Sequence, residues 1–289
     1  MQRWATSARR LRPKTGSWGF QHRSSGATPA GAAHASKTEG RTRPIGTMCC
    51  FGAAARAFRR CSHWCMHDNV LLALHEERLA ALAALGFKAG STPPPLAVLF
   101  TALQVAPLRR VYSWGVPNDA ALACIARFAG ATGVVEVGAG TGYWAAALSR
   151  RGIDVRAYDA APVDCAAAHN GHHVLASTSP PPFAAVLQRD ARNAAAAHPR
   201  RALLLCWPPP EDDESLPHGA RSMAADALGA YKGATVCYVG EGAPGVEDDA
   251  PPAAPPATAG QAFFNALARD WTLQARVPLP RWPTVRSNA

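Results

Sequence analysis

The chain has 289 residues, 48% hydrophobic and 17% charged. That is enough apolar side chain for a packed core, and it excludes a wholly disordered or collagen-like polymer. No run reaches the roughly 20 apolar residues of a membrane-spanning helix; the best stretch, Val70 to Phe87, is interrupted by His75, Glu76, Glu77 and Arg78. The net charge of +10 is local. Nine of the 30 Lys/Arg and one of the 20 Asp/Glu lie in residues 1–47, leaving 21 against 19 elsewhere, so the body offers no basic face for nucleic acid. Eight cysteines are too sparse for a disulfide scaffold, and reduced thiols are expected.

Residues 1–47 are rich in Arg, Ser, Ala, Gly and Thr, with Glu39 the one acid. This is the composition of a transit peptide, which would send the protein to a plastid or mitochondrion. A disordered tail, or a true start at Met48, would give the same composition and leave the chain in the cytoplasm. Under each reading the stretch contributes no fold and is dispensable. Cys49, Cys50, Cys61, His63, Cys65 and His67 then crowd together. A four-ligand zinc site uses two separated pairs, so these residues are read as part of a helix or loop and no metal site is assigned. Leucines at 71, 74, 79, 82 and 85 have the spacing of an amphipathic helix. Pro93 to Pro95 break it, and Leu96 to Leu108 read as a second helix. Residues 48–110 are therefore expected to form a helical cap.

From residue 111 onward the pattern alternates. Asn118 caps a helix ending at Gly130. Val134 to Val137 is a strand, Tyr143 to Arg151 a helix, Ile153 to Tyr158 a strand, and Ala185 to Gln188 a third strand. Ala202 to Cys206 and Thr235 to Val239 are continuous apolar runs, as in strands buried on both faces. Helices are expected at Met223 to Tyr231 and Gln261 to Trp271, and a last strand at Leu273 to Val277. Strands alternating with crossover helices mean a doubly wound, mostly parallel α/β sheet with helices on both faces.

The chemistry concentrates in Val134-Val135-Glu136-Val137-Gly138-Ala139-Gly140-Thr141-Gly142-Tyr143-Trp144. A strand runs into a turn with glycine at every second position and then opens a helix. Glycine suits a turn whose backbone angles are hostile to a Cβ and against which a ligand lies. Asp159, 21 residues after Gly138, ends the next strand, where a carboxylate can take both hydroxyls of a ribose. The dinucleotide fingerprint is G-x-G-x-x-G; here it is G-x-G-x-G with an acid two residues earlier.

This segment resembles motif I of the class I S-adenosylmethionine-dependent methyltransferases, and Val155 to Asp159 resembles their second motif. The resemblance implies a seven-stranded sheet and S-adenosylmethionine as cofactor. It puts Glu136, Gly138, Ala139, Gly140 and Gly142 at the amino-acid and sulfonium end, Asp159 on the ribose, and Asp190 with Ala191 at the adenine. Tyr112 to Pro117, Leu203 to Pro210, Tyr238 to Glu241 and Trp282-Pro283 resemble a narrower group within that superfamily, so the likeness runs from about Tyr112 to the C-terminus.

Trp207-Pro208-Pro209-Pro210 stands where methyltransferases acting on nucleobase amines carry Asp/Asn-Pro-Pro-Tyr/Phe. Trp207 replaces the polar acceptor, which argues against a nucleic-acid base; Trp207, Pro208 and Pro209 are either a substrate loop or a rigid strand ending. Glu241, after the fifth strand, is the one candidate base; His172, His173 and His218 read as solvated. The expectation is an S-adenosylmethionine-dependent methyltransferase acting on a small molecule or a protein. A binding protein without transfer activity is the alternative, and the glycine spacing disfavours an NAD-dependent oxidoreductase. The antiparallel strand that follows the sixth in this family is missing from the sequence pattern, which would leave the sixth strand exposed.

Overall fold

Apolar side chains alternate along the central strands and sort the helices onto opposite faces of one sheet. The computed structural model describes residues 15–22, 69–88, 92–166, 169–173, 180–210, 222–241 and 258–282. Its strands are β1 (Thr15–His22), β2 (Val134–Val137), β3 (Val155–Asp159), β4 (Val186–Gln188), β5 (Ala202–Cys206), β6 (Thr235–Glu241) and β7 (Trp271–Pro278). They form a single sheet in the order β4-β3-β2-β5-β6-β1-β7. The five strands from β4 to β6 run parallel, whereas β1 is antiparallel to both β6 and β7.

On one face Val135, Val137, Leu203, Leu205, Val236 and Tyr238 pack against helices α6 (Ala191–Ala196), α7 (Met223–Ala230) and α8 (Gln261–Asp270). On the other, Val134, Ala202, Leu204, Cys237 and Val239 meet α4 (Asp119–Ala129) and α5 (Tyr143–Ser149). Strands covered on both sides call for apolar residues at successive positions, which is why β5 and β6 read as continuous runs. The doubly wound α/β architecture expected from the sequence is the one observed.

The helical extension comprises α1 (Val70–Ala84), α2 (Pro95–Phe100) and α3 (Ala106–Val111), with a π-helical stretch, Thr101–Val105, joining the last two. Pro107 cannot donate to the Leu103 carbonyl and its ring crowds it; the helix widens just before, and the Ala106 amide reaches back five residues to Thr101. The cap is tied to the sheet domain at Tyr143, whose hydroxyl accepts from the Leu71 amide at 3.0 Å and donates to Asn69 at 3.2 Å.

Two expectations are corrected. Residues 15–22, assigned to a leader without fold, form β1 in the interior of the sheet. An antiparallel strand is therefore present, supplied from the N-terminal side; it lies between β6 and the sixth strand read from the sequence, Leu273–Val277, which is β7 and stands at the edge of the sheet. Gly19 within β1 is buried, and a Cβ there would press on the Phe128 ring at 3.0 Å. The sequence also missed α6. The thiols and imidazoles of residues 49–67 and the loop holding His218 lie outside the described residues.

Candidate functional site

The carboxyl ends of the parallel strands are where an open α/β sheet leaves a crevice, and here they open on a cavity of about 660 Å³. Its centre is the turn after β2. Gly138, Gly140 and Gly142 all have positive φ, at 73°, 54° and 73°, conformations that cost a side-chain-bearing residue strain. The Tyr158 carbonyl accepts from the Gly138 and Ala139 amides at 2.9 and 3.0 Å, which seals the turn against β3.

Neighbouring side chains already fill the space left by the glycines. A Cβ on Gly138 would meet Met223 Cε at 2.8 Å, and one on Gly140 would collide with Nε2 of His173. Gly138, Ala139 and Gly140 line the cavity, but Gly142 does not. It caps α5 in a left-handed conformation, and a Cβ there would meet Val186 at 3.0 Å, so backbone angle and packing against β4 both favour glycine.

Glu136 is 1% exposed in the middle of β2, and its Oε2 has no hydrogen-bond partner among the described residues. Burial pushes its carboxyl up to about 8, aided by the nearby Asp159 charge and opposed by a hydrogen bond from the Ala145 backbone. Asp159 ends β3 with both oxygens engaged. Oδ2 accepts from the Gly140 amide at 2.8 Å and Oδ1 from the Ala161 amide at 2.9 Å. Burial raises its pKa despite these donors. Both acids line the cavity.

His173, read from sequence as solvated, is 8% exposed. Its Nδ1 sits 2.8 Å from the Arg110 carbonyl, so Nδ1 carries the proton and Nε2 the lone pair. Burial lowers its pKa, and the ring is neutral near pH 7. It is held on the turn by its loop. Asn170 Nδ2 donates to the Ala161 carbonyl at 2.8 Å, and the His173 amide donates to the Asn170 carbonyl at 3.2 Å.

At the β4 end, Asp190 and Ala191 also line the cavity. Asp190 is exposed and caps α6, accepting from the Asn193 amide at 3.0 Å and from its side chain at 2.6 Å; these hydrogen bonds hold its carboxyl below the usual range. At the β5 end, Trp207, Pro208 and Pro209 form the wall. Trp207 has φ 51°, a strained value for a bulky side chain. Two hydrogen bonds fix the turn: the Trp207 amide to Val239 at 2.6 Å, and the Ala259 amide to the Pro208 carbonyl at 2.8 Å. Glu241, the candidate base, ends β6 outside the cavity lining.

The segment 112–117 is a structural tie. Thr141 Oγ1 donates to the Tyr112 carbonyl, Trp144 Nε1 donates to Gly115 at 3.0 Å, and Trp282 Nε1 donates to Trp114 at 2.9 Å. It brings Ser113 and Trp114 into the cavity beside Cys206, with Ser113 Oγ 4.0 Å from the Cys206 sulfur. No cluster of His, Cys, Asp and Glu suited to a metal ion occurs among the described residues, and no described helix is long and apolar enough to cross a membrane. Comparison with protein families, with curated proteins and with solved structures finds no match for this chain.

Proposed function

We propose that the cavity binds S-adenosylmethionine and that the chain transfers its methyl group to a small-molecule or protein acceptor. The observation that carries this reading is Glu136, a buried carboxyl with an unpartnered oxygen beside the glycine turn. A buried polar atom left without a partner costs about 1–3 kcal/mol. A ligand bearing an ammonium or sulfonium cation removes that cost and restores the ionised form. Asp159 supports the same ligand, because each of its oxygens accepts one amide and keeps a lone pair for the vicinal hydroxyls of a ribose.

A dinucleotide fits less well. Its pyrophosphate needs free amides at the start of the helix after the turn, and there the Ala145 amide is already bonded to Glu136. The chemistry the bound cofactor supplies is in-line transfer of a sulfonium methyl, with a neutral thioether as leaving group. The chain's own part is to hold the cation at Glu136, fix the ribose at Asp159 and exclude water along the wall from Ser113 to Pro209. In-line placement of a nucleophile is the main requirement of such a step, and no side chain is assigned as its base. A second reading, binding without transfer, shares this cofactor site.

Glu136→Gln tests the common part of both readings. It keeps the shape and removes the charge, and it is expected to weaken S-adenosylmethionine tenfold or more by calorimetry. Unchanged affinity in the folded variant would overturn the assignment.

A further inference from the structure

The lining of the cavity divides by charge. Towards β3 and β4 lie Asp159, His172, Arg189, Asp190 and the Arg192–Asp226 ion pair, 3.0 Å apart. Towards β5 lie Ser113, Trp114, Cys206, Trp207, Pro208 and Met223, none of them charged, bordered by the Glu136 carboxyl of the adjacent β2, whose charge acts on the Cys206 thiol. The Cys206 thiol is pushed well up by burial and stays protonated at neutral pH. Arg109, the cation packed on this wall, lies 5.2 Å from the Trp114 ring and is not part of the lining.

We propose that this β5 half of the cavity is an acceptor subsite for a planar, uncharged aromatic molecule seated against Trp207. The inference rests on the cofactor reading above in calling the occupant an acceptor and in assigning Glu136 to the cofactor's cation. An anion placed along this wall would lose its hydration and face the Glu136 carboxyl, and a cation would find that carboxyl already taken by the cofactor's own cation, so either charge is costly there. A neutral planar ring loses little hydration and gains offset or edge-to-face contact with indole rings. The backbone points the same way. Trp207 is one of two non-glycine residues among those described with positive φ, the other being Ala259. The strained turn is held from both sides by the hydrogen bonds to Val239 and Ala259. Strain of this kind persists where the surroundings over-determine it, and it clusters at ligand sites.

The probes are indole, indole-3-acetate and tryptamine, one ring system in neutral, anionic and cationic form, with cyclohexylmethanol as a neutral, non-planar control. Each is titrated into the full chain by calorimetry, with and without saturating S-adenosylhomocysteine. Indole is expected to bind at least tenfold tighter than the other three. Trp207→Ala should weaken indole tenfold or more, by a larger factor than it weakens S-adenosylhomocysteine, while Trp207→Phe retains most of the affinity. Charged analogues binding as tightly as indole, or indole affinity indifferent to Trp207→Ala, overturns the proposal. If Trp207→Ala does not fold, the four probes on the wild-type chain decide alone. Failure of S-adenosylhomocysteine to bind while indole keeps its preference would sink the cofactor reading and leave the subsite standing. The reverse result would sink the subsite alone.

Discussion

Gly140→Ala separates two reasons for a glycine that the structure superimposes. One is conformational: at φ 54° an alanine is strained by about 1–2 kcal/mol. The other is spatial: the new Cβ would collide with Nε2 of His173. That ring cannot swing away freely, because Nδ1 is bonded to the Arg110 carbonyl at 2.8 Å and the ring is buried. Forcing it out loses a hydrogen bond, about 0.5–1.5 kcal/mol, so Gly140→Ala is expected to destabilise by about 2–3 kcal/mol in urea denaturation. His173→Ala removes the obstacle. The double variant should therefore be more stable than the sum of the single losses predicts, with a coupling of about 1 kcal/mol or more. Effects additive within about 0.5 kcal/mol would refute the contact between His173 and the turn. The same variants test the ligand. If the cofactor also lies against Gly140, the double variant beats the additive sum in stability but recovers no affinity for S-adenosylhomocysteine. If His173 alone requires the glycine, affinity returns.

Deleting residues 1–22 removes β1, through which β7 joins the sheet, and uncovers the β6 edge; a lowered melting temperature and aggregation are expected, and an unchanged melting curve would contradict the observed strand order. Asp159→Ala leaves the Gly140 and Ala161 amides without their acceptor, so it should cost about 1–3 kcal/mol of stability as well as at least tenfold in S-adenosylhomocysteine affinity; loss of affinity alone would show that the amide contacts contribute nothing. For Glu136 the folded pKa of about 8 exceeds the ordinary 4.5, so between those values the folded state holds more protons than the unfolded state. Stability should fall as pH rises through that window, by up to about 1.4 kcal/mol per unit, and Glu136→Gln should flatten the profile; a flat wild-type profile argues against a neutral Glu136.

The parallel core was legible because its signals are local. Val134–Val137 and Ala202–Cys206 are apolar at nearly every position, and the glycine turn follows the first of them directly. β1 was not legible. Thr15–His22 finds its partners more than 200 residues away, at β6 and β7, and an Arg- and Ser-rich surround hides the strand. Helix α6 did leave a sign, the cap residue Asp190 before an alanine run, a start signal that the sequence reading passed over for a ligand role. His173 could not be recognised in a Gly- and His-rich loop, since its burial depends on the carbonyl of Arg110, 63 residues earlier. Gly142, grouped by the motif with the ligand turn, has reasons for its glycine that no ligand supplies: a φ of 73° and the approach of Val186.

The most direct test is titration of S-adenosylmethionine, S-adenosylhomocysteine and NAD into the full-length chain by calorimetry. The account predicts one-to-one binding of the first two, in competition with each other, abolished or weakened tenfold by Glu136→Gln, and no heat from NAD. Binding of NAD in their place, or no binding of either sulfur compound up to about 1 mM, some 4 kcal/mol of affinity, would contradict it.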